Sequence, residues 1–395
     1  MSPEPERLDA LNGVRGVAAV GIVLFHVVHT KVPVFPEWHP LAWFLGTLFE
    51  RGHLGVDLFF VLSGFVLAHT HLESIRPLDL RGYGRFLRKR VARTYPAYLA
   101  SLLLLCLLIL AIRSNGGSAW QHLTATTVVT NVFLLQQWRN IPSIDSPAWA
   151  LSALYGAYLA FPVIAAGVRR MRSTAACAAG VVSVMGVLLA GIAVVPQDSR
   201  FLRICCEFVA GCLLYKVYLA LPRSPRWGWL TTATLLVFAV TIFLAPALGH
   251  PRVADVWIRP LVVPLVLGLA LGGGSVARLL ARPWALSLGA VSFSLFLTHA
   301  IVLQGLGFLL PVREFADAGA ATRLGLLVIY GAATAAVAIV TYRLVERPGR
   351  TWIVGRSRYR PGSAGGPARE SPVAQRAPAA GAQIGSEEPA AGAAA

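Results

Sequence analysis

"LNGVRGVAAVGIVLFHVV" (residues 11–28) is apolar enough to cross a bilayer, yet Arg15 stands in its first half and His26 near its far end. An Arg at the centre of a membrane helix costs about 2.5 kcal/mol or more on insertion scales. Eleven residues separate the two, and at about 100° per residue they turn through three full turns plus ~20°. They therefore share one helix face, ~16 Å apart along the axis. An Arg that snorkels to lipid phosphates and a His that packs would satisfy this pattern. The sharper reading is a polar seam along the helix, with an imidazole available as a base.

The remainder of the chain sets that helix in a larger apolar array. Of 395 residues, 56% are hydrophobic and 13% charged, and the mean hydropathy is +0.64. A soluble chain has about twice that charged fraction. Runs near the ~20 residues needed to span ~30 Å of hydrocarbon occur repeatedly. The pattern predicts spans near 11–29, 54–72, 95–112, 148–167, 175–195, 203–220, 229–247, 256–272, 284–310 and 324–344. "LAWFLGTLF" (41–49) and residues 124–136 are too short or too polar to add to them. The fold class is therefore an all-α polytopic membrane protein with about ten transmembrane helices.

A net charge of +17 in a soluble protein would point to nucleic acid. Here the basic residues alternate between loops. One side receives seven between Arg76 and Arg93, then Arg169, Arg170 and Arg172, then Lys216, Arg223 and Arg226, then Arg278 and Arg282. The loops on the other side hold about two basic residues each, such as Arg313 and Arg323. This is the positive-inside pattern for ten spans, with both termini cytoplasmic and no nucleic-acid partner. The five cysteines lie in apolar runs without metal or redox spacing, and no metal site is implied. The first run reads as a retained helix rather than a cleaved signal. Residues 1–350 form one membrane domain, and 351–395, rich in Ala, Gly and Pro, read as a disordered cytoplasmic tail.

Further polar residues sit where apolar ones are expected. "RGHLGVDLFFVLSGFVLAH" (51–69) places Asp57 among aromatics, with small residues suited to close helix contact. "FLRKRVARTYP" (86–96) sets Arg90 and Arg93 three apart on one face, and a pair of forked guanidinium groups suits phosphate. "SFSLFLTHAIVL" (292–303) holds His299, and "YRLVERPGR" (342–350) holds Glu346 between arginines.

Taken together, Arg-x10-His, "GVDLFFVLSGF", "RKRVARTYP", "SFSLFLTH" and "YRLVERP" resemble the acyltransferase-3 family of integral membrane acyltransferases, in that family's order and from Arg7 to about Pro348. The resemblance implies an O-acyltransferase of the bacterial plasma membrane. It would move an acyl group, acetyl above all, from acyl-CoA to a hydroxyl of a carbohydrate-containing acceptor such as a cell-surface glycan or a macrolide. It assigns Arg15, His26 and Glu346 to catalysis, and Arg90 and Arg93 to the CoA donor. Asp57 is the candidate carboxylate partner of His26. One position departs: "WALSALYGAYLAFP" (149–162) has Leu154 where the family pattern has Glu. A non-catalytic glycan or lipid exporter of the same fold is the rival reading, since buried charges near the midplane serve transport too.

Overall fold

A computed structural model of the chain describes residues 8–29, 40–76, 79–116, 123–194, 199–248, 256–272, 274–310 and 319–355. Among these residues all regular structure is helical. In chain order the helices are α1 (Asp9–His29), α2 (Pro40–Glu50), α3 (Gly55–His71), α4 (Leu80–Ser114) and α5 (Ala125–Val132). There follow α6 (Ala148–Arg170), α7 (Thr174–Val194), α8 (Ser199–Ala220) and α9 (Gly228–Ala247). The last are α10 (Val262–Ala270), α11 (Gly274–Leu280), α12 (Pro283–Leu309), α13 (Ala320–Thr341) and α14 (Arg347–Val354).

Among the described residues, helix occupies each of the ten expected segments. Eight helical units there are long and apolar enough to cross a membrane, or nine if the bent pair α10 and α11 forms one span. The tenth is α8, whose 22 residues have the length but include Arg200, Arg203, Glu207 and Lys216. The expected span 256–272 is not one straight helix. The chain bends by 81° between α10 and α11, with Gly272 and Gly274 at φ of 75° and 84°, a region that glycine enters without steric cost.

"LAWFLGTLF" becomes α2, which joins a single 3₁₀ turn (Gly52–Leu54) to α3. Residues 124–136 give only the eight-residue α5 and turns. α4 begins at Leu80, fifteen residues before the expected span, because Asp79 caps it by accepting from the Gly82 N–H at 2.8 Å. Its 35 residues reach ~52 Å, well beyond ~30 Å of hydrocarbon, so the arginine-rich first third stands outside it. α14 runs to Val354, past the expected boundary at 350, and residues 356–395 lie outside the described residues.

Glycine sets the tightest contacts. A Cβ at Gly16 would stand 2.6 Å from the Gly289 nitrogen, and one at Gly289 would run into the Asn12 carbonyl, so α1 and α12 touch backbone to backbone. Gly64 and Gly211 bring α3 and α8 together in the same way. Without a hydrophobic driving force between helices in lipid, such contact is what holds a bundle together. Arg169 on α6 donates to the carbonyls of Leu72 and Ile75 just beyond α3, which ties the basic loops to one end of the bundle.

Candidate active site

The basic end of the bundle gathers its charge around α4. Arg90 and Arg93 occupy one face, and the Arg90 guanidinium lies 5.7 Å from the centre of the Phe86 ring. Its Nε is buried and makes no hydrogen bond. Thr94 on the next turn meets the Tyr155 hydroxyl of α6 at 2.8 Å. One turn further on α6, the Tyr158 ring interacts electrostatically with Arg15, Arg90 and Arg93 together.

Glu346 enters the same cluster from the end of the chain. It closes a π-helical turn, Tyr342–Glu346, of a kind that marks functional positions in helices. Its side chain is buried, accepts from Ser294 Oγ at 2.7 Å, and feels Arg93, Arg15 and Arg350. Gly349 lets α14 pack against Pro96 of α4, with room for no Cβ between them, and this crossing brings Arg350 to Arg90. Arg343 and Arg347, the arginines on either side of Glu346, are exposed.

Arg15 links this cluster to α12. Its guanidinium donates to Asn12 Oδ1 at 2.8 Å, the Gly289 carbonyl at 2.7 Å and Ser292 Oγ at 3.0 Å. Eleven residues on, His26 meets His299 of α12, their ring centres 4.7 Å apart. The shared face expected for Arg15 and His26 is thus the face α1 turns to α12. The Ile22 carbonyl lies 2.8 Å from His26 Nδ1. A carbonyl only accepts, so Nδ1 is the donor, and in the neutral ring Nε2 is the basic nitrogen.

Asp57 is not part of this seam. Gly55 packs on Ala18 and Ile22 of α1, and two residues further, about 200° around the helix, Asp57 faces α8 instead. Its fully buried carboxylate accepts from Arg203 at 3.0 and 2.7 Å and lies 3.3 Å from Arg259 Nε. The Glu207 carboxyl adjoins it. The expected pairing with His26 is replaced by a buried network of two carboxyls and two guanidinium groups. Leu154 is half-buried against the apolar core, with no carboxyl in its place.

Sequence reasoning did not assign Tyr158, Ser292, Ser294 or Arg350 to the site. Arg350 stands four residues after Glu346, one helical turn, and that spacing was the available signal. Arg203 and Glu207, also four apart in an apolar run, carried a similar one for the network around Asp57.

Fold and site together define a polytopic helical membrane protein with an arginine cluster joined to a histidine pair along one helix seam. The family model described as an acyltransferase domain, Acyl_transf_3, matches residues 8–343. The chain belongs to the acyltransferase-3 family. It is 29% identical over 283 residues to the acyltransferase MdmB of Streptomyces mycarofaciens, covering 69% of this chain and 65% of MdmB. It is 38% identical over 162 residues to protein 2 of the picA locus of Rhizobium radiobacter, covering 37% of this chain and 76% of that protein. A putative O-acetyltransferase of Staphylococcus aureus is 23% identical over 168 residues, covering 40% of this chain and 24% of its own length. The chain thus spans just under two thirds of MdmB. No solved structure matches it.

Proposed function

We propose that the protein is an O-acyltransferase of a bacterial plasma membrane, moving an acyl group, acetyl above all, from acyl-CoA to a hydroxyl of a carbohydrate-containing acceptor. The observation that carries this reading is the seam between α1 and α12, with four arginines and one carboxylate at its basic end and His26 at the other. Arg90 and Arg93 hold the CoA phosphates by forked, charge-assisted hydrogen bonds, and the excess positive charge favours a polyanionic donor. Both termini then lie on the cytoplasmic side, where acyl-CoA is made. The thioester lies along the seam, and His26 Nε2 takes the proton of the acceptor hydroxyl. General base catalysis supplies about 10²–10⁴-fold, and holding hydroxyl and thioester together supplies more.

The relatives support the choice of class: they include an acyltransferase of Streptomyces and a putative O-acetyltransferase of Staphylococcus, both bacteria. The exporter reading is disfavoured by the backbone contact at Gly16 and Gly289, which resists the sliding or rocking that alternating access needs. The test is release of CoA thiol from acetyl-CoA by membranes supplied with candidate glycans. His26→Ala and His26→Gln should each lower it by at least about a hundredfold at matched expression. Near-parental turnover in both variants would remove His26 from the mechanism.

A further inference from the structure

Arg169 and Arg170 end α6, and Arg172 follows two residues on; the proposed chemistry uses none of them. Together with Ala166 they line an open cleft of about 570 Å³, a size typical of small-molecule sites. Arg169 is pinned there. Its Nη1 donates to the carbonyls of Leu72 and Ile75, which leaves Nε and Nη2 uncommitted among the described residues. Arg170 and Arg172 make no side-chain hydrogen bond or ion pair among those residues. The carboxylate of Glu73, next to Leu72, interacts with Tyr215 and pairs with none of the three arginines among the described residues. Three guanidinium groups thus share one cleft with no carboxylate in its lining. Orienting the chain in a membrane needs the charge alone, and neither a cleft nor a pinned guanidinium.

The same helix continues the cleft into the hydrocarbon. Leu159, Val163, Ala166 and Arg170 recur at steps of four, three and four residues, so at about 100° per residue they fall within ~60° of one line along α6. Leu159 and Val163 are 58% and 71% exposed, and beside them Gly167 has open space where a Cβ would stand. Leu159 lies ~16 Å along the axis from Arg170, close to the depth of one leaflet of a hydrocarbon layer ~30 Å thick. We propose that cleft and stripe form a binding site for an anionic phospholipid of the leaflet at the basic end. Its phosphate is held by Arg169, Arg170 and Arg172, and an acyl chain lies along Val163 and Leu159. Forked guanidinium groups match phosphate oxygens, and a basic pocket between membrane helices suits an anionic headgroup. Through Arg169 the lipid is tied to the chain just beyond α3, so it braces α6 against that segment. The site is independent of the acyl-transfer reading and needs only the membrane span of α6 and its basic end.

The test is native mass spectrometry of the full chain in detergent, titrated with dioleoylphosphatidylglycerol or with zwitterionic dioleoylphosphatidylcholine. The parent should bind one phosphatidylglycerol about tenfold or more tightly than phosphatidylcholine. Arg170→Gln with Arg172→Gln should weaken phosphatidylglycerol by about 25-fold, roughly fivefold for each arginine. Arg170→Lys with Arg172→Lys keeps the charge that orients the chain and loses the fork, at a cost of about fivefold. Arg81→Gln with Arg85→Gln removes two exposed arginines outside the lining of the cleft and should bind as the parent does. Glycerol phosphate, a headgroup without chains, and CoA should each fail to displace the lipid. Equal retention of the two lipids, a Lys pair that matches the parent, or equal losses in the two Gln pairs would reduce these arginines to general surface charge and overturn the proposal. Displacement by glycerol phosphate or by CoA would assign the cleft to a soluble phosphate compound and overturn the lipid as its occupant.

Discussion

Two charge clusters lie inside the bundle, and their balance differs. At the far end, Asp57 and Glu207 face Arg203 and Arg259, two carboxyls to two guanidinium groups, and Asp57 accepts from both Nε and the terminal nitrogen of Arg203. At the basic end, Arg15, Arg90, Arg93 and Arg350 gather, among the described residues, around one carboxylate, Glu346, and Arg90 Nε has no hydrogen-bond partner. The first cluster matches two acidic side chains with two basic ones and fastens α3, α8 and the turn before α10, although Arg259 Nε and both Glu207 oxygens make no hydrogen bond. The second has charge left over, and a cluster with charge left over is waiting for an anion. Neither burial nor an unpartnered donor distinguishes a site from a fastening; the balance of acidic and basic side chains does.

The largest effect expected from this contrast falls on the balanced cluster. Removing one partner of a buried ion pair strands the other, at a cost of about 3–5 kcal/mol. Asp57→Asn or Arg203→Met should therefore lower thermal stability in detergent sharply, whereas the double replacement Asp57→Leu with Arg203→Met should recover much of the loss. The molecules that do fold should keep their donor turnover. A fall in turnover per folded molecule would erase the line drawn between the two clusters.

A carboxyl with no cation beside it among the described residues sharpens the comparison. Asp145, in the segment between α5 and α6, is fully buried, and its Oδ2 accepts from Ser101 at 2.9 Å while Oδ1 has no partner. Burial pushes its pKa up from 3.8 to about 7, the Ser101 hydroxyl opposing this in part. The folded protein therefore holds a proton that the unfolded chain has released, from about pH 4 to pH 7. Stability falls with rising pH across that window and levels off above it, by roughly 1.4 kcal/mol for each tenfold difference in proton affinity. Asp145→Asn should flatten the dependence and raise the melting temperature at pH 8 relative to the parent. A pH profile of melting temperature identical to the parent's would show that Asp145 is not the group responsible.

Smaller effects belong to the cluster with charge left over. Arg90→Lys and Arg93→Lys keep the charge and lose the fork, so each should raise KM for acyl-CoA by about tenfold, the loss of roughly one charge-assisted bond. The deficit should widen in salt, which screens the remaining point charge. Donor titrations that overlay the parent's would place the CoA site elsewhere. Smallest of all is Leu154→Glu. A carboxyl set among the apolar groups around Leu154 meets no partner, so no gain of turnover is expected. A large gain would mark the parent as an enzyme weakened by that substitution.

Much of this contrast was legible in the sequence, and the limits have physical causes. The eleven-residue interval of Arg15 and His26 fixes their common face through helix geometry alone, and the ten helical segments follow from hydropathy. Which helix receives that face does not follow, because in lipid every helix is apolar all round and periodicity loses its meaning. The pairing of α1 with α12 depends on Gly16 meeting Gly289, a match of small surfaces far apart in the chain. Asp57 was misassigned for the same reason: its position was read correctly and its neighbour was not. The break between α10 and α11 was hidden because a run of apolar residues looks alike whether the helix is straight or bent.

The splint formed by Gly16 and Gly289 has a consequence for substrate size. Arg15 and His26 lie on one helix, so the ~16 Å between them is a fixed gauge, and the glycine contact keeps α12 alongside it. Under the proposed reading, a donor gripped by its phosphates at one end must present its thioester at the other. A short thioester that lacks the nucleotide end reaches His26 only untethered. The protein would then measure its donor by length, and a single methyl group at Gly16 would push α12 away at the Arg15 end of the gauge, where Gly289 accepts from Arg15.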